Sequence, residues 1–137
     1  MNCFSPELSA QDVNKISMLG LAHIGDAVYE LLIRTMLCSQ GHSQVTQLHN
    51  LSVSYVKAPA QARAMERILP QLTEEETAIY KRGRNAHVNS VPHNAAVGEY
   101  HTATGLEALF GWLYLQGRTE RIETLFSAIM EGQDHAP

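Results

Sequence analysis

Apolar side chains recur along this chain at three- and four-residue spacing, and no run of convincing length alternates as a strand would. The pattern is clearest in Thr102–Leu115, where Leu106, Leu109, Phe110, Leu113 and Tyr114 mark a helix burying one face. A first helical stretch, with Ser9 as its cap and Asp12 in an early turn, runs to about Cys38. Gly20 and Gly25 inside it each cost about 1 kcal/mol relative to alanine, so either close packing requires small residues there or two helices meet, and the favoured expectation is a break near Leu19–Gly20. Ser39–Ser43 reads as a turn, with Gly41 ending one helix and Ser43 capping the next, Val45–Val56. Ala58–Leu69 is alanine-rich and helical, with Pro59 in its first turn and Pro70 closing it. Thr73 and Glu76 form a capping box for a helix ending in Lys81-Arg-Gly-Arg-Asn85. Ala86–His101 has no periodicity and reads as a long irregular loop. After a turn at Gln116-Gly117, Glu120–Met130 is amphipathic, with Ile122, Leu125, Phe126 and Ile129 on its core face. The expected fold is all-α, a single domain over residues 1–137 with a core from about 9 to 131 and frayed ends at 1–8 and 131–137.

Composition narrows the class of protein more than its chemistry. With 137 residues, 45% apolar and 18% charged, the chain can bury a real core as a soluble globular protein. Its longest apolar run ends at Arg34, short of the roughly 20 residues that span a bilayer, so no membrane association is expected. The opening residues lack the basic and apolar regions of a signal peptide, which points to a cytoplasmic location. Cys3 and Cys38 have no metal-ligand or disulfide spacing. His49 has no histidine partner on its helix, and His87, His93 and His101 fit no zinc motif, so zinc is not expected.

Two acids stand out against this background. Glu107 interrupts an apolar helical run, and Asp26 follows Gly25 inside another, Met18–Ile33. A carboxylate beside a buried stripe is costly unless a cation, a metal or donors compensate it. If those two helices pack together, Asp26 and Glu107 converge on one site whose hard oxygens suit Mg²⁺. The alternative is that each acid pairs with a basic side chain or caps a neighbouring helix. Glu30 lies four residues before Arg34 and is expected in a surface ion pair instead.

The net charge of −4 argues against a uniformly basic nucleic-acid binder, yet six of ten Lys and Arg residues fall between Lys57 and Arg84. Arg63 and Arg67 share a helix face that is either solvated or follows a phosphate backbone. Lys81, Arg82, Arg84 and Asn85 surround Gly83, which could bring the backbone close to a phosphate. The competing explanation is helix C-terminal charge complementing the macrodipole, followed by a glycine stop.

Leu21-Ala-His-Ile-Gly-Asp-Ala-Val-Tyr-Glu30, Lys81-Arg-Gly-Arg-Asn-Ala86 and Thr104-Gly-Leu-Glu-Ala-Leu109, in this order and in so short a chain, resemble Mini-ribonuclease III. These are ribonuclease III-like enzymes without a separate double-stranded RNA-binding domain. The resemblance covers roughly residues 17–130. It implies a ribonuclease III endonuclease-domain-like helical bundle acting as a homodimer, cutting double-stranded RNA with Mg²⁺, or Mn²⁺ in its place. It further implies maturation of the large-subunit (23S) ribosomal RNA precursor, with a ribosomal protein as a candidate assistant, and products bearing 5′-phosphate and 3′-hydroxyl ends. By position, Asp26 and Glu107 match the metal-binding, catalytic carboxylates, and Lys81, Arg82, Arg84 and Asn85 match the RNA-contacting basic motif. The broader ribonuclease III pattern has two further acids where Ala22 and Thr104 stand here. That reduction is shared by Mini-ribonuclease III and leaves more of a metal's coordination to water. A catalytically silent RNA-binding or ribosome-assembly protein on the same fold is the rival expectation.

Overall fold

The computed structural model describes residues 1–86 and 96–133, all of whose regular elements are helical. The order is α1 (Ala10–Asn14), α2 (Met18–Ser39), α3 (Val45–Val56), α4 (Ala58–Ile68), a 3₁₀ turn at Leu69–Gln71, α5 (Glu74–Arg84), α6 (Val97–Leu115) and α7 (Thr119–Gln133). α6 is the axis of the fold, and α2, α4, α5 and α7 all pack against it.

Side-chain caps explain several of the boundaries. The Ser9 hydroxyl accepts from Asp12 N–H at 3.1 Å to start α1, and the Ser17 hydroxyl accepts from Gly20 N–H at 3.0 Å to start α2. The expected break at Leu19–Gly20 therefore lies earlier, at Lys15–Ser17, because Ser17 caps a new helix that carries Gly20 in its first turn. Gly41, at φ 95°, follows the end of α2 in the left-handed region. α3 is preceded by Gln44 and has no side-chain cap, so the role expected of Ser43 is not realised. At α5 the capping box forms in full: Glu76 N–H donates to the Thr73 hydroxyl at 3.1 Å, and Thr73 N–H donates to the Glu76 carboxylate at 2.9 Å.

Two readings of the chain ends are corrected. Residues 1–8 are held rather than frayed: Leu8 N–H donates to Leu115 C=O at 2.8 Å, the Tyr114 hydroxyl donates to Cys3 C=O, and Pro6 is buried. Residues 131–133 continue α7, while 134–137 lie outside the described residues. The expected irregular loop is also shorter, because α6 begins at Val97 and contains His101; His87 and His93 lie outside the described residues.

α6 buries all its faces rather than one. From Ala103 to Leu113 every residue except Glu107 is buried, as a helix at the centre of a bundle requires. Such crowding is possible because small residues line the contacts. A Cβ on Gly25 would overlap the Glu107 carbonyl, and one on Gly111 would overlap the Leu21 carbonyl, so α2 and α6 meet backbone to backbone. On the other flank, a Cβ on Gly83 would come within 2.7 Å of the Ala108 Cβ, so Gly83 closes α5 onto α6. It is neither a helix stop nor a gap left for a ligand.

Candidate active site

The Gly25–Gly111 contact places Asp26 of α2 beside Glu107 of α6. Asp26 follows Gly25 directly and is exposed. Glu107 contributes its carbonyl to the same contact and is half-buried. Their carboxyl groups lie within hydrogen-bonding reach, and no Lys, Arg or His among the described residues lies within ion-pairing distance of either. Burial pushes the Glu107 carboxyl up to about 8, and the facing Asp26 pushes it in the same direction. Among the described residues neither acid pairs with a basic side chain, the alternative left open from sequence alone.

Two further side chains act on this pair. Glu30, one turn beyond Asp26, is tied to Arg34 at 3.2 Å as expected, yet its charge still adds to the field raising Glu107. Gln61 of α4 reaches the same carboxyl and pulls its pKa down as a donor. It is only 2% exposed, and its Nε2 has no partner of good hydrogen-bond geometry. Sequence reasoning passed over Gln61. The available signal was its place in the buried stripe Gln61, Ala64, Met65 and Ile68, where an amide replaces an apolar side chain.

Ala22 and Thr104, at the positions where the broader pattern carries further acids, are both buried and small. The Thr104 hydroxyl donates to Tyr100 C=O at 3.0 Å within its own helix, so it is already satisfied. Among the described residues no group of three or more His, Cys, Asp and Glu side chains gathers at one point. The donor set is therefore the Asp26–Glu107 oxygens, with an amide behind them.

The basic motif lies on the neighbouring flank of α6. Gly83 seats α5 against Ala108, about 100° round that helix from Glu107. Lys81, Arg82 and Asn85 are exposed, while Arg84 lies half-buried over the Tyr80 ring, 5.5 Å from its centroid. Asn85 Oδ1 accepts from Arg84 Nε at 3.3 Å. Among the described residues Lys15, Arg34, Arg118 and Arg121 are paired with acids, whereas Lys57, Arg63, Arg67, Lys81, Arg82 and Arg84 are not. Arg67 departs from the solvated face expected of it. Its guanidinium turns inward towards Tyr29, leaving Nη1 buried without a partner.

Comparison with known proteins settles the family. The ribonuclease III domain family matches residues 19–118, a span running from α2 to the end of α6 that includes both acids and the basic motif. The chain belongs to the ribonuclease III family. Relatives of this ribonuclease III protein include the Mini-ribonuclease 3 of Thermoanaerobacter sp., 48% identical over 118 residues that cover 86% of this chain and 83% of the relative. The Mini-ribonuclease 3 of Clostridium tetani is 38% identical over 94% of this chain and 92% of its own. That of Enterococcus faecalis is 44% identical, covering 85% and 90% respectively. A crystal structure of a Fusobacterium nucleatum protein superposes with a TM-score of 0.81 at 33% identity, covering 89% of this chain and 98% of that one. The all-α ribonuclease III fold expected from the three motifs is thus the fold observed.

Proposed function

We propose that this chain is a metal-dependent endoribonuclease cutting double-stranded RNA, with Asp26 and Glu107 as its catalytic, metal-holding carboxylates. The observation that carries this reading is the meeting of two acids, without a basic partner among the described residues, over the Gly25–Gly111 contact. Two hard oxygen donors with room for water fit Mg²⁺, or Mn²⁺ in its place, and the set holds no thiolate or imidazole to favour a softer ion. When bound, the cation supplies charge stabilisation at the scissile phosphate and lowers the pKa of the attacking water.

The chain's own residues do the rest. Glu107, gripped by a packed helix, is the rigid half of the pair, and exposed Asp26 presents the other half to solvent, where RNA must approach. Lys81, Arg82, Arg84 and Asn85 contact phosphates, with Lys57 and Arg63, unpaired among the described residues, widening the positive surface. A-form RNA buries its base edges, so these contacts recognise shape, phosphates and 2′-hydroxyls.

The whole chain reads as one catalytic domain built round α6, working as a homodimer. The face that supports pairing lies beside Asp26 on α2: Ile24, Leu31 and Leu32 border an apolar groove of about 350 Å³, with Phe4 at its edge. Leu31 is 55% exposed and Phe4 80% exposed, an arrangement that a second copy would bury. A twofold axis through this face gives each RNA strand its own site. In the cell, the reading places the enzyme in the cytoplasm, maturing the large-subunit ribosomal RNA precursor, where a ribosomal protein can assist by shaping the RNA. No helix among the described residues is long and apolar enough to cross a membrane.

The test is to incubate the purified protein with duplex and single-stranded RNA in Mg²⁺, Mn²⁺ or chelator and to examine product ends. Metal-dependent cutting of the duplex alone, leaving 5′-phosphate and 3′-hydroxyl ends, is expected. Duplex binding without cutting in either metal would instead make the protein a silent RNA-binding or ribosome-assembly factor.

A further inference from the structure

We infer that Gln61 is a positioning residue of this site, its side-chain amide donating from Nε2 to the Glu107 carboxylate and fixing that acid towards Asp26. The inference rests on the reading of Asp26 and Glu107 as the metal-holding pair. Gln61 occupies a position in α4 that faces the core, flanked at helical spacing by Ala64, Met65 and Ile68. An apolar residue would fill this place without stranding a donor. The amide is instead 2% exposed, its Nε2 is buried without a partner of good hydrogen-bond geometry, and the Glu107 carboxyl lies within its reach. A carboxylate has lone pairs enough to accept an amide hydrogen bond on one side while binding a cation on the other.

Glu107 has few other means of being held. Its helix neighbour Thr104 spends its hydroxyl on Tyr100 C=O, and the buried Ala22 carries no polar group. Without Gln61 the carboxylate would keep its place on α6 but lose its fixed rotamer. Residues that orient metal-binding side chains typically contribute 10–100-fold to metal affinity.

The full chain is tested as Gln61→Met and Gln61→Leu, which keep bulk and remove the donor. Three quantities are measured: Mn²⁺ affinity by calorimetry, metal-free Tm, and duplex cleavage against Mg²⁺ concentration. The expected result is an unchanged or higher Tm, Mn²⁺ binding weakened roughly 10–100-fold, and cleavage recovered at raised Mg²⁺. A merely structural role would move Tm and leave the metal dependence alone. Wild-type Mn²⁺ affinity in both folded variants overturns the role of Gln61 and leaves the two-acid reading standing. A wild-type protein that binds no Mn²⁺ overturns both. Should the apolar variants fail to fold, Gln61→Asn, whose amide falls one methylene short, carries the same expected loss, and wild-type affinity in it overturns the proposal.

Discussion

Glu107 and Glu76 show how differently two carboxylates fare in one small protein. Glu76, 1% exposed, is also desolvated, which works to raise its pKa. Arg121 nevertheless grips both its oxygens at 2.8 Å, and with the Thr73 bonds leaves it below the ordinary value. Glu107 has no such partner among the described residues, and burial with Asp26 beside it raises its pKa to about 8. The sign of the resulting stability follows. Because the folded value lies above the ordinary 4.5, the contribution is fully present below pH 4.5 and is lost as pH rises through about 8. Glu107→Gln removes that ionisable group, so in metal-free buffer it should stabilise the fold most at pH 8–9, by an amount on the order of a few kcal/mol, seen as a higher Tm there. Thermal melts of both proteins from pH 5 to 9 check this, and parallel curves for the two would contradict it. Mn²⁺ affinity of the wild type should climb over the same interval, as the carboxyl sheds its proton. Asp26 and Glu107 were legible in the sequence because charge is conspicuous in an apolar helix. Gln61 was not, because an amide in an alanine-rich helix looks ordinary until its burial is known.

Between elements, backbone contacts govern the site. Gly25 and Gly111 let α2 and α6 touch, and the two acids meet only because they do. Gly25→Ala should therefore separate the helices, destabilise the fold by roughly 1–3 kcal/mol and reduce cleavage further than that loss of stability explains. Cleavage assayed well below the variant's Tm checks this, and full activity there would contradict it. A different contact anchors α5 to α7. Arg121 donates to Glu76 twice and to Gln71 C=O at 2.9 Å, so Arg121→Ala strands a buried carboxylate. It should cost about 3–5 kcal/mol by denaturant unfolding, with cleavage chemistry intact in the folded fraction. Periodicity identified the long helices, and the capping box at Thr73 was legible residue by residue. The glycines were harder to place. Gly20 and Gly83 suggested a break and a stop, yet Gly20 sits in a capped first turn and Gly83 serves packing, a tertiary fact that spacing cannot show.

Over the whole molecule, a net charge of −4 coexists with six cations between Lys57 and Arg84 that form no ion pair with a described acid. Duplex affinity should therefore fall steeply with salt, and replacing Lys81 or Arg82 by alanine should flatten the logarithmic slope by about one unit each. Binding isotherms across a salt series measure this directly, and an unchanged slope would remove those residues from the interface. The sequence revealed the cluster but not its division, since only packing shows that Arg67 turns into the core while its neighbours remain outside. The central claim concerns the two acids, and its most direct test separates cutting from binding in Asp26→Asn and Glu107→Gln. Both variants should bind duplex RNA about as tightly as the wild type, yet fail to cleave it in Mg²⁺. Cleavage at the wild-type rate by either would contradict the assignment.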